Sequence, residues 1–295
     1  SVTTDGVAPY RAVLTHGFVV DGQGKKMSKS AGNVVAPQDV IKQYGAEILR
    51  LWVAAQDYQE DLRISQQILK QLVEQYRKIR NTCRYLLSNI YDYDSNDPSH
   101  QFEINQLPEL DRWALIRLNK LIVNVRKGYN EFDFRQVVHE LDYFCSVDMS
   151  STYLDILKDR MYTSHKDSPL RRGSQMVLYK IVTSLAQLMA PILSFTAEDV
   201  WNVLPGKTKE NGISVHLEIF PEVAVLKDQE VLESQWKELL KIRVLVLGAL
   251  EQQRRDKVIG SSLESQVILL ATPDRYRFLL HYEQDLPTFF IVSQV

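Results

Sequence analysis

From Ser65 onward, apolar residues recur in steps of three and four: Leu69, Leu72, Tyr76, Ile79, Cys83, Leu86 and Ile90. That spacing puts one stripe along a helix and predicts a long amphipathic helix with Ser65 as its N-cap. The polar run YDYDSNDPSH ends it. A second helix is predicted with Asp111 as N-cap and with Trp113, Ile116, Leu121 and Val125 turned inward. A third opens at the cap Asp133 and buries Val137, Leu141, Phe144 and Cys145. After the breaker SHKDSP, a fourth runs to Ala190 and stops at Pro191, whose ring cannot continue a helix. Thr196 and Asp199 read as a capping box for a short helix ending near Leu204. Beyond Pro221 a further long helix spans roughly residues 228–256.

The two ends of the chain have a different rhythm. Residues 11–20, RAVLTHGFVV, read as a strand closed by the turn signals Asp21-Gly22 and Gly24. A polar loop of Lys and Ser runs to Asn33. A short amphipathic helix follows Pro37, with Gln38 or Asp39 near its start, and a second helix, AEILRLWVAA, follows Gly45. At the far end QVILLA (266–271) and FFIVSQV (289–295) read as strands, with Pro273 opening a helix between them. The fold expected is mainly α, in three parts. Residues 1–64 form an α/β segment, 65–221 a helical bundle, and 222–295 a helix followed by a small α+β unit.

Bulk properties narrow the classes. At 295 residues the chain can bury a sizeable core in two or three domains. No apolar run has the length of a membrane span, and the opening residues SVTTDGVAPY lack the basic and apolar regions of a signal peptide. No membrane partner is expected. The first residue is not Met, which reads as a fragment or a processed product. Cys83 and Cys145 are the only cysteines, too few for a disulfide framework or a four-cysteine zinc site. No metal-ligand cluster is legible, and both thiols are expected to be buried in a reducing compartment. Net charge is −2, so any contact with nucleic acid must come from local basic patches.

One stretch carries candidate chemistry: Gly24-Lys25-Lys26-Met27-Ser28-Lys29-Ser30-Ala31-Gly32-Asn33. Three lysines within five residues suit phosphate oxygens, serine hydroxyls and loop amides add donors, and the flanking glycines allow close backbone approach. That set fits neutralisation of charge during nucleotidyl transfer. The competing reading is a solvated basic loop, which composition alone favours.

The motif shifts that balance. Lys26 to Ser30 spells KMSKS, and the string HGFVVDGQGKKMSKSAGNVVAPQDVIKQYGAEILRLW resembles class I aminoacyl-tRNA synthetases over its whole length. LRLWVAAQDYQEDLRIS, DRWAL, FCSVDMSSTYLDILKDRMY, MAPILSFTAEDVW and VIGSSLESQV resemble the isoleucyl-tRNA synthetases within that class. The valine and leucine enzymes share the signature loop but usually diverge at LRLW and the segment after it.

The resemblance implies the end of a Rossmann-type catalytic domain, a helical anticodon-binding bundle and a small junction domain. It implies isoleucyl-adenylate formation from isoleucine and ATP with Mg2+, then transfer to tRNA(Ile). In that scheme Lys29 and Lys26 are the catalytic lysines, and Lys26, Met27, Ser28, Lys29 and Ser30 form the ATP loop. Met27 is expected to pack the loop. Ser28 and Ser30 either touch the nucleotide or cap turns. The family's HIGH signature, editing domain and carboxy-terminal zinc module lie outside the sequence, so zinc is expected only there. The chain alone is expected to be inactive, part of a cytoplasmic monomer.

For RNA, Lys70, Arg77 and Arg84 recur every seven residues with Arg80 beside them, one basic stripe on the first long helix. Arg171 and Arg172, and the cluster Arg254, Arg255 and Lys257, are further candidates. An exposed polar face is the competing reading for the stripe. Trp113, Tyr153, Tyr162 and Trp201 suit either base stacking or, by their helical placement, core packing. A non-catalytic tRNA-binding module that retains the loop is the alternative function.

Overall fold

The computed structural model describes residues 2–206 and 214–295. Its helices are α1 (Val2–Asp5), α2 (Pro37–Tyr44), α3 (Ala46–Ala55), α4 (Gln66–Asn89), α5 (Glu109–Asn130), α6 (Phe134–Tyr143), α7 (Leu154–Thr163), α8 (Pro169–Met189), α9 (Ser194–Trp201), α10 (Gln229–Arg255), α11 (Pro273–Leu280) and α12 (Leu286–Phe290). A π-helical stretch, Phe144–Tyr153, joins α6 to α7. Two three-residue strands, β1 (Val19–Asp21) and β2 (Leu62–Ile64), pair in parallel with Val20 opposite Arg63. Helices α2 and α3 make the crossover that parallel pairing requires.

The chain divides into two compact units. The first comprises Ser1–Leu87, Leu121–Cys145 and Val182–Pro221; the second comprises Ser88–Lys120, Ser146–Ile181 and Glu222–Val295.

In the first unit, local signals set the helices and apolar burial fixes them. Pro37 sits in the first turn of α2, where its missing N–H costs nothing. Ser65 caps α4, its hydroxyl accepting from the Ile68 N–H at 3.3 Å. Asp133 caps α6 by accepting from Gln136 N–H at 3.0 Å. The stripe of α4 is inside, with Leu69, Ile79, Cys83 and Leu86 all buried. Both cysteines are buried and outside any disulfide, and burial pushes the Cys83 thiol up to about 12. Trp52 closes the α3 side by donating its indole N–H to the Arg63 carbonyl at 3.0 Å.

The second unit centres on aromatic rings. Trp113 of α5 stacks on Trp236 of α10 at 5.2 Å, and Phe289 of α12 meets Trp236 edge-on at 5.5 Å. Arg243, 2% exposed, joins three elements by bonding the Phe289 carbonyl and Asp155 of α7. Trp113, Tyr153 and Trp201 are buried in their respective cores, whereas Tyr162 is 67% exposed.

Several sequence expectations are corrected. The strand over 11–20 shrinks to Val19–Asp21, because the parallel pairing with β2 covers only those residues. The runs 266–271 and 289–295 form no strand; they meet in one bridge, Gln266 with Gln294. Leu270 is left 97% exposed, and α12, with Pro287 in its first turn, takes up Phe289 and Phe290, where a strand was expected. Asp111 does not cap α5. It lies inside the first turn, fully buried, and accepts from the Tyr153 hydroxyl at 2.7 Å and from Arg160 at 2.5 Å. Thr196 lies within α9 and bonds the Tyr76 hydroxyl at 3.0 Å. The free N–H groups of that helix start, at Phe195 and Thr196, instead point at the Glu47 carboxylate of α3 (3.2 and 3.4 Å).

Candidate functional site

The lysine-rich loop leaves the carboxyl end of β1, the end at which open parallel α/β sheets bind ligands. Its first bend is organised by Asp21. The carboxylate accepts from the N–H groups of Gln23 (2.9 Å) and Lys25 (2.8 Å). The Asp21 N–H donates to the Lys25 carbonyl, Val20 and Lys26 form an antiparallel bridge, and Gly24 takes φ +82°, where a side chain would be strained.

Asn33 closes the second bend. Its amide nitrogen donates to the Asp21 carboxylate (2.9 Å) and to the Lys26 carbonyl (3.3 Å), and its oxygen accepts from the Ser28 N–H (2.9 Å). The Asn33 hydrogen bond, followed by the Lys25 N–H, holds the Asp21 carboxyl below the usual carboxylate range. Within the arc so closed, the Ser28 hydroxyl accepts from Ala31 N–H at 3.2 Å and meets Ser30 Oγ at 3.2 Å. Gly32 N–H returns to the Lys29 carbonyl. The Met27 sulfur, half-buried, accepts from Val35 N–H at 3.5 Å and so anchors the loop to the chain leading into α2.

The loop cations point outward. Lys25, Lys26 and Lys29 are exposed, and Lys26 and Lys29 form no ion pair among the described residues. Lys25 lies close enough to Asp21 to help lower that carboxyl. The ammonium groups of Lys26 and Lys29 are thus left for an external anion, on a backbone whose shape is set by hydrogen bonds that use neither charge. Sequence reasoning gave Asp21 and Asn33 no role at the site. The available signal was their residue type, since Asp and Asn side chains habitually bond backbone a few residues away.

The basic candidates separate by burial. In the first unit Lys70, Arg77, Arg80 and Arg84 are all exposed on α4. Arg77 pairs with Glu74 at 2.7 Å, both side chains being more than half exposed, a weak surface pair; the other three form no ion pair among the described residues. In the second unit Arg254 and Arg255 are exposed and share Glu251 (2.9 and 3.6 Å). Lys257, also exposed, turns the chain at φ +57°.

Arg171 and Arg172 are different. They are 6% and 7% exposed. Arg171 holds the Asp92 carboxylate with both terminal nitrogens, and Arg172 bonds the Asp92 carbonyl, Gln175 and Asp167. Their charge is consumed inside the fold, which removes them from the candidates for phosphate contact. Among the described residues no group of three or more His, Cys, Asp or Glu side chains is arranged to hold a metal ion, and no helix is long and apolar enough to cross a membrane.

Comparison with known proteins bears on both regions. Residues 111–269 match the family described as the anticodon-binding domain of tRNA ligase, and residues 1–65 match tRNA synthetases class I (I, L, M and V). The chain is 54% identical over its whole length to the isoleucine–tRNA ligase of Geobacter sulfurreducens and 52% identical to that of Syntrophotalea carbinolica. It spans 31% of the length of each. In fold it is similar to a methionyl-tRNA synthetase of Mycobacterium tuberculosis in complex with methionyl-adenylate (TM-score 0.55, 19% identity, 76% of this chain and 44% of that one). It is also similar to an Agrobacterium radiobacter LeuRS in a ternary complex with tRNA and LeuAMS (TM-score 0.52, 18% identity, 70% and 23%).

Proposed function

The chain belongs to the tRNA ligase family whose anticodon-binding domain its residues 111–269 match, and from that premise we propose that it is the loop-bearing and RNA-binding part of an isoleucine–tRNA ligase. In this reading residues 1–64 close a class I catalytic domain, 65–221 form the anticodon-binding bundle, and 222–295 form a junction unit. The observation that carries the catalytic half is the pair of ammonium groups, Lys26 and Lys29, that form no ion pair among the described residues, on a loop shaped by Asp21 and Asn33.

The chemistry follows from charge. When the isoleucine carboxylate attacks the α-phosphorus of ATP and pyrophosphate leaves, negative charge grows on the phosphate oxygens. Donors fixed beforehand near those oxygens lower the barrier most, because they need no reorganisation at the moment of reaction. Lys29, beyond the bend pinned by Asn33, and Lys26, at its neck, supply the opposing positive charge, while Met27 holds the loop base. Ser28 is engaged in the turn, which leaves loop amides as further donors. Mg2+ carried by the ATP phosphates would neutralise part of their charge, and this chain's own share of that neutralisation would come from Lys26 and Lys29.

For the RNA half, Lys70, Arg80 and Arg84 offer exposed cations along α4 that form no ion pair among the described residues, with Arg77 only weakly paired, and Arg254, Arg255 and Lys257 offer a second cluster. Contacts of this kind position RNA through its phosphates; base identity is read by other groups. The test compares isoleucine-dependent ATP–pyrophosphate exchange by the full-length ligase and by this chain alone. Exchange by the full-length protein, none by the chain, and binding of tRNA by the chain support the reading. A chain that fails to bind tRNA contradicts the RNA half. Binding by both, with no exchange by the full-length protein, favours the non-catalytic module.

A further inference from the structure

Asp21 and Asn33 are twelve residues apart and belong to neither the lysine nor the serine positions of the loop. Yet their side chains close both of its bends. Asn33, on the returning side of the loop, uses its donor and acceptor on the outgoing side, reaching the Lys26 carbonyl and the Ser28 N–H, and adds a third bond to Asp21. Asp21 in turn holds the Gln23 and Lys25 N–H groups. The whole arrangement is exposed or half-exposed, so it is not a folding core.

We propose that Asp21 and Asn33 form a latch that sets the position of Lys29 for adenylate formation, making both of them positioning residues of the reaction. The latch rests on the catalytic role proposed for Lys29. Residues 27–32 form the arc that it closes, and Lys29 lies within that arc. Releasing the neck lets the arc swing, and a lysine displaced by about an ångström loses roughly a hundredfold in rate when its charge must meet a developing oxyanion.

The hydrogen-bond polarity makes the latch testable by exchange. Asn33→Asp faces the Asp21 carboxylate with a second carboxylate. Asp21→Asn faces the Asn33 amide with a second donor. Combining both changes restores the contact between positions 21 and 33 with its polarity reversed, while position 21 still accepts from Gln23 and Lys25 and position 33 still accepts from Ser28; only the bond from position 33 to the Lys26 carbonyl stays lost. The experiment measures kcat and KM for ATP–pyrophosphate exchange by the full-length ligase carrying each single change, the double change, or Lys29→Ala, with the melting temperature of each. Each single variant is expected to lose about tenfold or more in kcat with KM for isoleucine and melting temperature little changed, and the double variant to recover part of the loss of Asn33→Asp. Unchanged kcat in the single variants, or a double variant no better than the worse single one, overturns the latch. If that happens while Lys29→Ala still lowers kcat, only the latch falls. If Lys29→Ala has no effect, the catalytic reading of the loop falls with it.

Discussion

Asp92 and Arg171 are joined by two parallel hydrogen bonds of 3.0 and 2.9 Å, across seventy-nine residues of sequence. This fork-to-fork geometry, with Arg172 and Gln175 on the same carboxylate, converts a dibasic sequence into an internal cross-link. Asp92→Ala leaves the nearly buried Arg171 without its counter-charge and Arg172 with only the exposed Asp167. The loss is expected to be roughly 3–5 kcal/mol, as for other buried pairs deprived of one partner. Urea unfolding of the chain and its variant checks this.

The same carboxylate sets an acid limit. Desolvation pushes the Asp92 carboxyl up, but the Arg171 and Gln175 hydrogen bonds and the charges of Arg171 and Arg172 outweigh it and hold it below the ordinary value of 3.8. A carboxyl whose pKa is lower folded than unfolded stabilises the fold fully above 3.8, and that contribution is lost as pH falls through the lower folded value. Wild type and Asp92→Asn are therefore expected to differ at neutral pH and to converge in strong acid. Urea midpoints measured across that range test the sign.

Gly17 faces Glu60 so closely that an added Cβ would lie 2.2 Å from the Glu60 carbonyl oxygen. That oxygen belongs to the backbone next to β2, and Gly17 itself donates to the Tyr58 carbonyl at 2.8 Å. Gly17→Ala must separate the two chain segments just where β1 begins to pair. A cost of about 1–3 kcal/mol is expected, the scale of overpacking, with a fall in adenylate formation by the full-length ligase because the loop hangs from β1. Denaturant titration and exchange assays measure the two effects.

The burial contrast among the arginines predicts opposite phenotypes. Removing the charges of Lys70, Arg77, Arg80 and Arg84 together is expected to weaken tRNA binding by the chain. The salt slope of log K should fall by about one for each RNA phosphate no longer neutralised. The fold should be unaffected, since these side chains are exposed. Changing Arg171 and Arg172 is expected to lower stability instead. Filter binding at several salt concentrations, beside a melting curve, separates the two.

Legibility in the sequence tracked the range of the interaction. Helices α3, α4, α6, α8 and α10 follow from apolar period and caps, signals contained within a few residues. Asp111 and Thr196 misled because a capping residue type was claimed by distant partners, Tyr153 and Arg160 in one case and Tyr76 in the other. The strand expectations at 11–18 and 266–271 failed for a related reason: a β pattern becomes a strand only where another strand completes the ladder. Arg171 and Arg172 looked like surface charge until Asp92 was brought to them. At the site, the lysines were legible as a motif, but the hydrogen bonds of Asp21 and Asn33 appear only once the turn is built.

The most direct test of the central claim is single-turnover formation of isoleucyl-adenylate by the full-length ligase carrying Lys29→Ala. A rate about 10²–10³-fold below wild type, the cost of losing one transition-state donor, is the predicted result. A rate equal to wild type at saturating ATP would contradict the assignment of the loop to phosphate charge.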